Sequence, residues 1–243
     1  MLNIIYCELL KLKKSYIIYV VLIGGMFMSI LMNLVILVSE ERVRTFESYS
    51  SNTEHINLLL LYIILFSLIV GYVFSREFTD KTSSILYTYP ISRIKIFIGK
   101  LITIDILISL VYLVEIISIY LGYYVLYHTL PEHTFIISHI KYNIYSLIFQ
   151  FLLIPIPILI TNIGKNIMLP VVYGVVGTIV TNVIGESDFL IAKHFPLAVP
   201  YNFIKKLYWP NLTDLNYSVI SGMSCFIISM IICIYQYNKD DII

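Results

Sequence analysis

YIIYVVLIGGMFMSILMNLVILV, residues 16–38, runs for 23 residues without a charged side chain. A helix rises about 1.5 Å per residue, so this run is long enough to cross the roughly 30 Å of hydrocarbon in a bilayer. Comparable runs occupy 56–74, 101–126, 144–162, 167–184 and 217–235. The whole chain is 59% hydrophobic and 13% charged, with mean hydropathy +0.88. Soluble domains carry about a quarter charged residues, and a water-soluble fold of this length could not bury so much apolar surface. The expected fold is therefore all-α: one transmembrane domain, residues 1–243, with six membrane-spanning helices. The first run is too long for a cleavable signal and is followed by Ser39-Glu40-Glu41, so it is expected to remain as the first span.

Before it, Leu2, Ile5, Tyr6, Leu9 and Leu12 fall on one helical arc, while Glu8, Lys11 and Lys14 fall away from it. That pattern predicts an amphipathic helix over residues 1–14, lying in the membrane interface. With six spans, ten cations (Lys11, Lys13, Lys14, Arg76, Lys81, Arg93, Lys95, Lys100, Lys165 and Lys239) share one side, against six (Arg42, Arg44, Lys141, Lys193, Lys205 and Lys206) on the other. The positive-inside rule then places both termini in the cytoplasm of a multi-pass cell-membrane protein.

Several function classes fall away. A net charge of +1 and the lack of a long Lys/Arg run give no field for nucleic acid. No Gly-x-x-x-x-Gly-Lys-[Ser/Thr] phosphate loop is present, so ATP hydrolysis would need a separate polypeptide. Cys7, Cys225 and Cys233 form neither a disulfide framework nor a metal spacing. His128, His133 and His139 share one outer connection, but their spacing matches no ligand motif. No metal and no chain-bound cofactor are expected.

The connection between the second and third runs, residues 77–93, combines charge with structure-forming residues. Thr79 or Asp80 can cap a short helix, whose apolar side is Ile85, Leu86 and Tyr89 and which Pro90 ends; Ser92 can cap the next helix. A short amphipathic helix held there suits docking of a soluble partner, while a solvated positive-inside loop accounts for the same charges. Glu77, Phe78, Thr82, Leu86, Pro90, Ser92, Arg93, Lys100 and Leu101 resemble the motif of type-2 ABC export permeases. Size adds a similarity to the permeases of lantibiotic and bacteriocin self-protection exporters and of bacitracin-type exporters. The resemblance implies that Thr82, Ile85, Leu86, Tyr89, Pro90 and Arg93 belong to a coupling helix seated in an ATP-hydrolysing subunit. It also implies two copies of that subunit, carrying ATP and Mg, and a second permease chain, identical or different. The implied cargo is a peptide-like or amphipathic compound such as a lantibiotic.

Within the spans, Glu115 is either a hydrogen-bonded core residue or part of a transport route, because a carboxylate in hydrocarbon needs a partner or water. Gln150, Pro155 and Pro157 join it as candidates for that route, the two prolines predicting a kinked or broken helix. Gly25, Ser29, Gly174 and Thr178 form close-packing faces that fit either a permease–permease contact or internal packing. Residues 189–209 resemble re-entrant outer helices, with Trp209 as an interface anchor. Two other functions fit the same pattern: a membrane sensor or assembly component without transport activity, and an ion- or proton-coupled carrier using Glu115 and Asp105.

Overall fold

The computed structural model describes residues 1–13, 15–38, 45–80, 82, 91–185, 194–210 and 215–239, and among these every regular element is helical. In chain order the elements are α1 (Leu2–Lys13), α2 (Ile17–Val38), α3 (Phe46–Ile56), a π-helical turn (Asn57–Leu61), α4 (Tyr62–Thr79), α5 (Arg93–Tyr127), α6 (His133–Leu153), α7 (Pro155–Gly164), α8 (Met168–Gly185), a 3₁₀ turn (Pro196–Ala198), α9 (Val199–Tyr208) and α10 (Leu215–Lys239). Five helical stretches are long and apolar enough to cross a membrane: 17–38, 46–79, 93–127, 133–164 and 215–237. Met168–Ile184, the expected fifth span, is a shorter apolar helix.

Two boundaries differ from the sequence expectation. The helical run expected to start at Ile56 starts at Phe46, where Thr45 accepts a bond from the Ser48 N–H at 3.3 Å. Its polar composition reads as a loop, yet Ser50, Thr53 and Glu54 are buried. Hydroxyls of Ser50 and Thr53 donate to carbonyls one turn back, and distant side chains satisfy the carboxylate. The fourth run likewise starts at His133 rather than near Ile144. Its expected break is present: Pro155 stands at the first position of α7, and the carbonyl of Pro155 accepts a bond from the Cys233 thiol at 3.3 Å.

α4 lies at the centre, packing against α5, α7 and α8, because its apolar residues cover most of its circumference. Leu65, Phe66, Ile69, Val70, Val73 and Phe74 join Ile104, Ile108 and Val111 of α5 in the principal core. Helices already in lipid gain little from the hydrophobic effect on meeting, so close packing and interhelical hydrogen bonds decide which faces touch. Small residues supply this closeness. A Cβ on Gly25 would stand 2.9 Å from the Val111 carbonyl, and one on Gly174 would stand 2.9 Å from the Ile64 Cα. Ser29 and Thr178 are also buried, and Thr178 donates to the Leu60 carbonyl at 3.4 Å. All four close-packing candidates are thus taken up inside this chain rather than left on a free face.

Gly174→Leu is expected to force α8 off α4, costing about 1–3 kcal/mol as in other overpacked interiors. Thermal unfolding in detergent measures this: the variant should melt several degrees lower, whereas Val176→Leu on the exposed side of α8 should not.

α1 is turned differently from its expected arc. Glu8 is buried, whereas Leu2, Tyr6 and Leu10 form an exposed apolar stripe. Glu8 pairs with Lys11, which in turn reaches Glu77 of α4.

Candidate functional site

The connection between α4 and α5 is bracketed by charges. Glu77 lies in the last turn of α4 and Lys100 in the second turn of α5. The Lys100 ammonium stands 2.8 Å from Glu77 Oε2 and is 1% exposed. It also donates to the Val73 carbonyl at 3.4 Å and lies 5.3 Å from the centre of the Phe74 ring. Glu77 Oε1 receives Lys11 Nζ at 3.3 Å, and the same ammonium contacts Glu8 Oε1 at 2.5 Å. The alternating chain Glu8–Lys11–Glu77–Lys100 therefore ties α1, α4 and α5 together at one end of the bundle. Arg76 reinforces it by donating to the Lys11 carbonyl at 2.8 Å while pairing with Asp80 at 3.3 Å. Burial works against the charge on Lys11, but Glu8 and Glu77 outweigh it, and the Lys11 pKa lies above the usual lysine value.

An open cleft of about 270 Å³ beside this network is lined by Lys11, Arg76, Glu77, Asp80 and Thr82. Thr79 and Asp80, expected to cap a separate helix, instead finish α4: the Thr79 hydroxyl donates to the Ser75 carbonyl at 3.1 Å, and Asp80 is the C-cap. Ser92 does occupy the N-cap position of α5, with extended backbone, but its side chain makes no capping bond. Arg93 opens α5. Ile85, Leu86, Tyr89 and Pro90 lie outside the described residues.

The residues expected along one intramembrane route are divided. Glu115, 1% exposed, accepts bonds from Asn57 Nδ2 at 2.5 Å and from the Tyr62 hydroxyl. Gln150 and Pro157 instead line a cavity of about 20 Å³ with Ser67, Tyr173 and Leu197, which is room for about one water. Pro155 serves the helix break and the Cys233 contact.

A further polar cluster had no counterpart in the sequence reading. Glu54 and His139, 1% and 0% exposed, meet at 2.8 Å. Asn143 Nδ2 donates to Glu54 Oε1 and the Tyr208 hydroxyl to Glu54 Oε2, both at 2.7 Å. The one available signal was His139 and Asn143, four apart on a largely apolar helix and so on one face. His139 thus has carboxylate, amide and Tyr120 hydroxyl neighbours. Among the described residues no group of three or more His, Cys, Asp or Glu is placed to hold a metal.

A bundle of apolar helices, five of them long enough to cross a bilayer, with a buried ion pair joining α4 and α5, describes a multi-pass membrane protein. Residues 4–181 match the ABC-2 family transporter proteins, and the chain belongs to that family. It is similar to the bacitracin transport permease protein BCRB of Bacillus licheniformis, with 24% identity over 201 residues, 82% of this chain and 94% of that protein. It is a type-2 ABC exporter permease, a multi-pass membrane protein of a family that works with an ABC ATPase. Glu77 and Lys100, two residues that carried the resemblance in the sequence, are the two halves of the buried pair.

Proposed function

We propose that this chain is the membrane subunit of an ATP-driven exporter of a peptide-like, amphipathic compound, with a role in resistance to such a compound. The observation that carries this reading is the Glu77–Lys100 pair, which fixes both ends of the connection where a partner would push. The similarity to a bacitracin transport permease supports the peptide-like cargo. ATP and Mg belong to a separate ATPase subunit present in two copies, and residues 82–90 dock on it. A second permease chain, the same or different, completes the transporter. α8 serves as a sixth span, since its 18 residues extend about 27 Å at 1.5 Å each. α1 rests in the interface with Leu2, Tyr6 and Leu10 toward lipid, and both termini are cytoplasmic. The test is to express the chain with and without an ABC ATPase in a peptide-sensitive host, measuring ATPase co-purification and survival on bacitracin and on a lantibiotic. Co-purification together with protection by the pair alone is expected. Protection by the chain without any ATPase would instead favour a carrier, and an ATPase complex that protects against none of these compounds would remove the peptide cargo.

Topology has its own expected outcome. Ser51 is buried, so the outer-face reporter is Ser48, which is exposed, and native Cys7, also exposed, reports on the inner face. With the other cysteines removed, Ser48→Cys should react with an impermeant thiol reagent in intact cells, and Cys7 only after permeabilisation. The reverse pattern would invert the bundle.

A further inference from the structure

The half of the bundle away from the connection holds three ionisable side chains in a sealed interior: Glu115 on α5, Glu54 on α3 and His139 on α6, each at most 1% exposed. Glu54 has the His139 ring nitrogen 2.8 Å away. Glu115 has two neutral donors, Asn57 and Tyr62, and among the described residues no Lys, Arg or His side chain pairs with it. The groups facing it can be named element by element. They are Glu54 from α3, Asn57 from the π turn, Tyr62 from α4 and Tyr112 one turn back on α5, with His139 of α6 acting through Glu54. α2 packs along α5 but presents none, since its one ionisable side chain, Tyr19, is exposed.

An ionised Glu115 would be a negative charge in a sealed interior, with no cationic side chain paired to it among the described residues. Such a group takes up a cation or a proton, because an isolated buried carboxylate is far costlier than a neutral acid. A proton fits this site best. Both carboxylate oxygens already touch neighbours, and among the described residues no group of three or more His, Cys, Asp or Glu is placed to hold a metal ion. Two neighbours can accept a bond from a Glu115 O–H. One is the Tyr62 hydroxyl oxygen. The other is Asn57 Oδ1, a buried acceptor without a donor as the amide now stands, which turning the amide over would present to the acid. The adjacent Asn57–Leu61 turn is π-helical, a geometry that recurs at functional sites.

We propose that Glu115 is a proton-binding site: in this closed arrangement it is a neutral carboxylic acid, and it exchanges its proton with water only when Asn57 and Tyr62 part from α5. On opening, the O–H bond breaks, the proton leaves to an entering water and Glu115 becomes a solvated carboxylate; closure reverses the step. Acid therefore favours the closed bundle and alkali the open one, whatever compound the permease exports.

The full-length chain in lipid nanodiscs at neutral pH should show the infrared carbonyl stretch of a protonated carboxylic acid. That band should be lost in Glu115→Gln and kept in Asp105→Asn. Tyr62→Phe keeps the carboxyl but removes a hydrogen-bond partner, so it should shift the band if Glu115 is its source, which holds even if the Gln variant fails to fold. Thermal unfolding supplies the sign. The closed state holds a proton that an unfolded chain releases above the ordinary carboxylate range, so alkali should lower the wild-type melting point, by up to about a tenfold loss in folding constant per pH unit. Glu115→Gln should flatten that slope. No acid band in the wild type, a band untouched by both Glu115→Gln and Tyr62→Phe, or an equal pH slope in wild type and Glu115→Gln would overturn the assignment.

Discussion

Replacing Ile85 and Leu86 together by aspartate is expected to abolish co-purification of the ATPase and export, while the permease still reaches the membrane in normal amount. A connection that served only topology would need positive charge and nothing more. This one carries Ile85, Leu86 and Tyr89 at helical spacing before Pro90, an apolar set with something to bury. Loss of two such anchors from a small interface costs about 2–4 kcal/mol, enough to weaken a complex roughly 30-fold or more. The same number of charge changes at Arg42 and Arg44, on the opposite connection, should leave the complex intact. Retained ATPase and retained export in the double aspartate variant would remove residues 82–90 from the docking site.

The second large effect belongs to the ion pair that holds this connection. Glu77→Gln leaves the Lys100 ammonium buried without its ionic partner, and Lys100→Met leaves Glu77 with Lys11 alone; breaking such a buried pair typically costs about 3–5 kcal/mol. Each single variant should lose export and much of its thermal stability. A structural role alone and a positioning role separate in the double variant Glu77→Met with Lys100→Met, which restores an uncharged, packable interior. Its stability should recover, because apolar replacements of buried ion pairs are often neutral or stabilising. Its ATPase coupling should not recover, since Lys11 then loses Glu77 and only the Arg76 bond to the Lys11 carbonyl still ties α1 to the end of α4. Measuring melting temperature alongside export per ATP hydrolysed decides the matter: recovery of both would make the pair a purely structural element.

The long apolar helices were largely legible in one dimension. Uninterrupted apolar length needs no partner to be recognised, so residues 16–38 and 217–235 coincide closely with α2 and α10. Pro155 and Pro157 announced a broken helix because each lacks a backbone donor wherever it stands. Residues 46–55 were missed for the converse reason. Their polar composition reads as a loop, and only partners elsewhere in the chain make burial affordable: Asn143 reaches Glu54 across 89 residues and Tyr208 reaches it across 154. Glu115 lies apart from the cavity that Gln150 and Pro157 line for a similar reason, because sharing a predicted depth does not place side chains on a common surface.

The sequence by itself determined the solvent of this protein, its family and the connection that distinguishes it, since apolar length and a local motif are properties of consecutive residues. Only the tertiary structure decided which charges are neutralised and by whom. It paired Glu77 with Lys100, turned Glu8 of α1 inward, matched Glu54 with His139 and left Glu115 with neutral donors. Those outcomes depend on distances between helices, and in an interior with little water a few ångströms separate a satisfied charge from one that must find a proton.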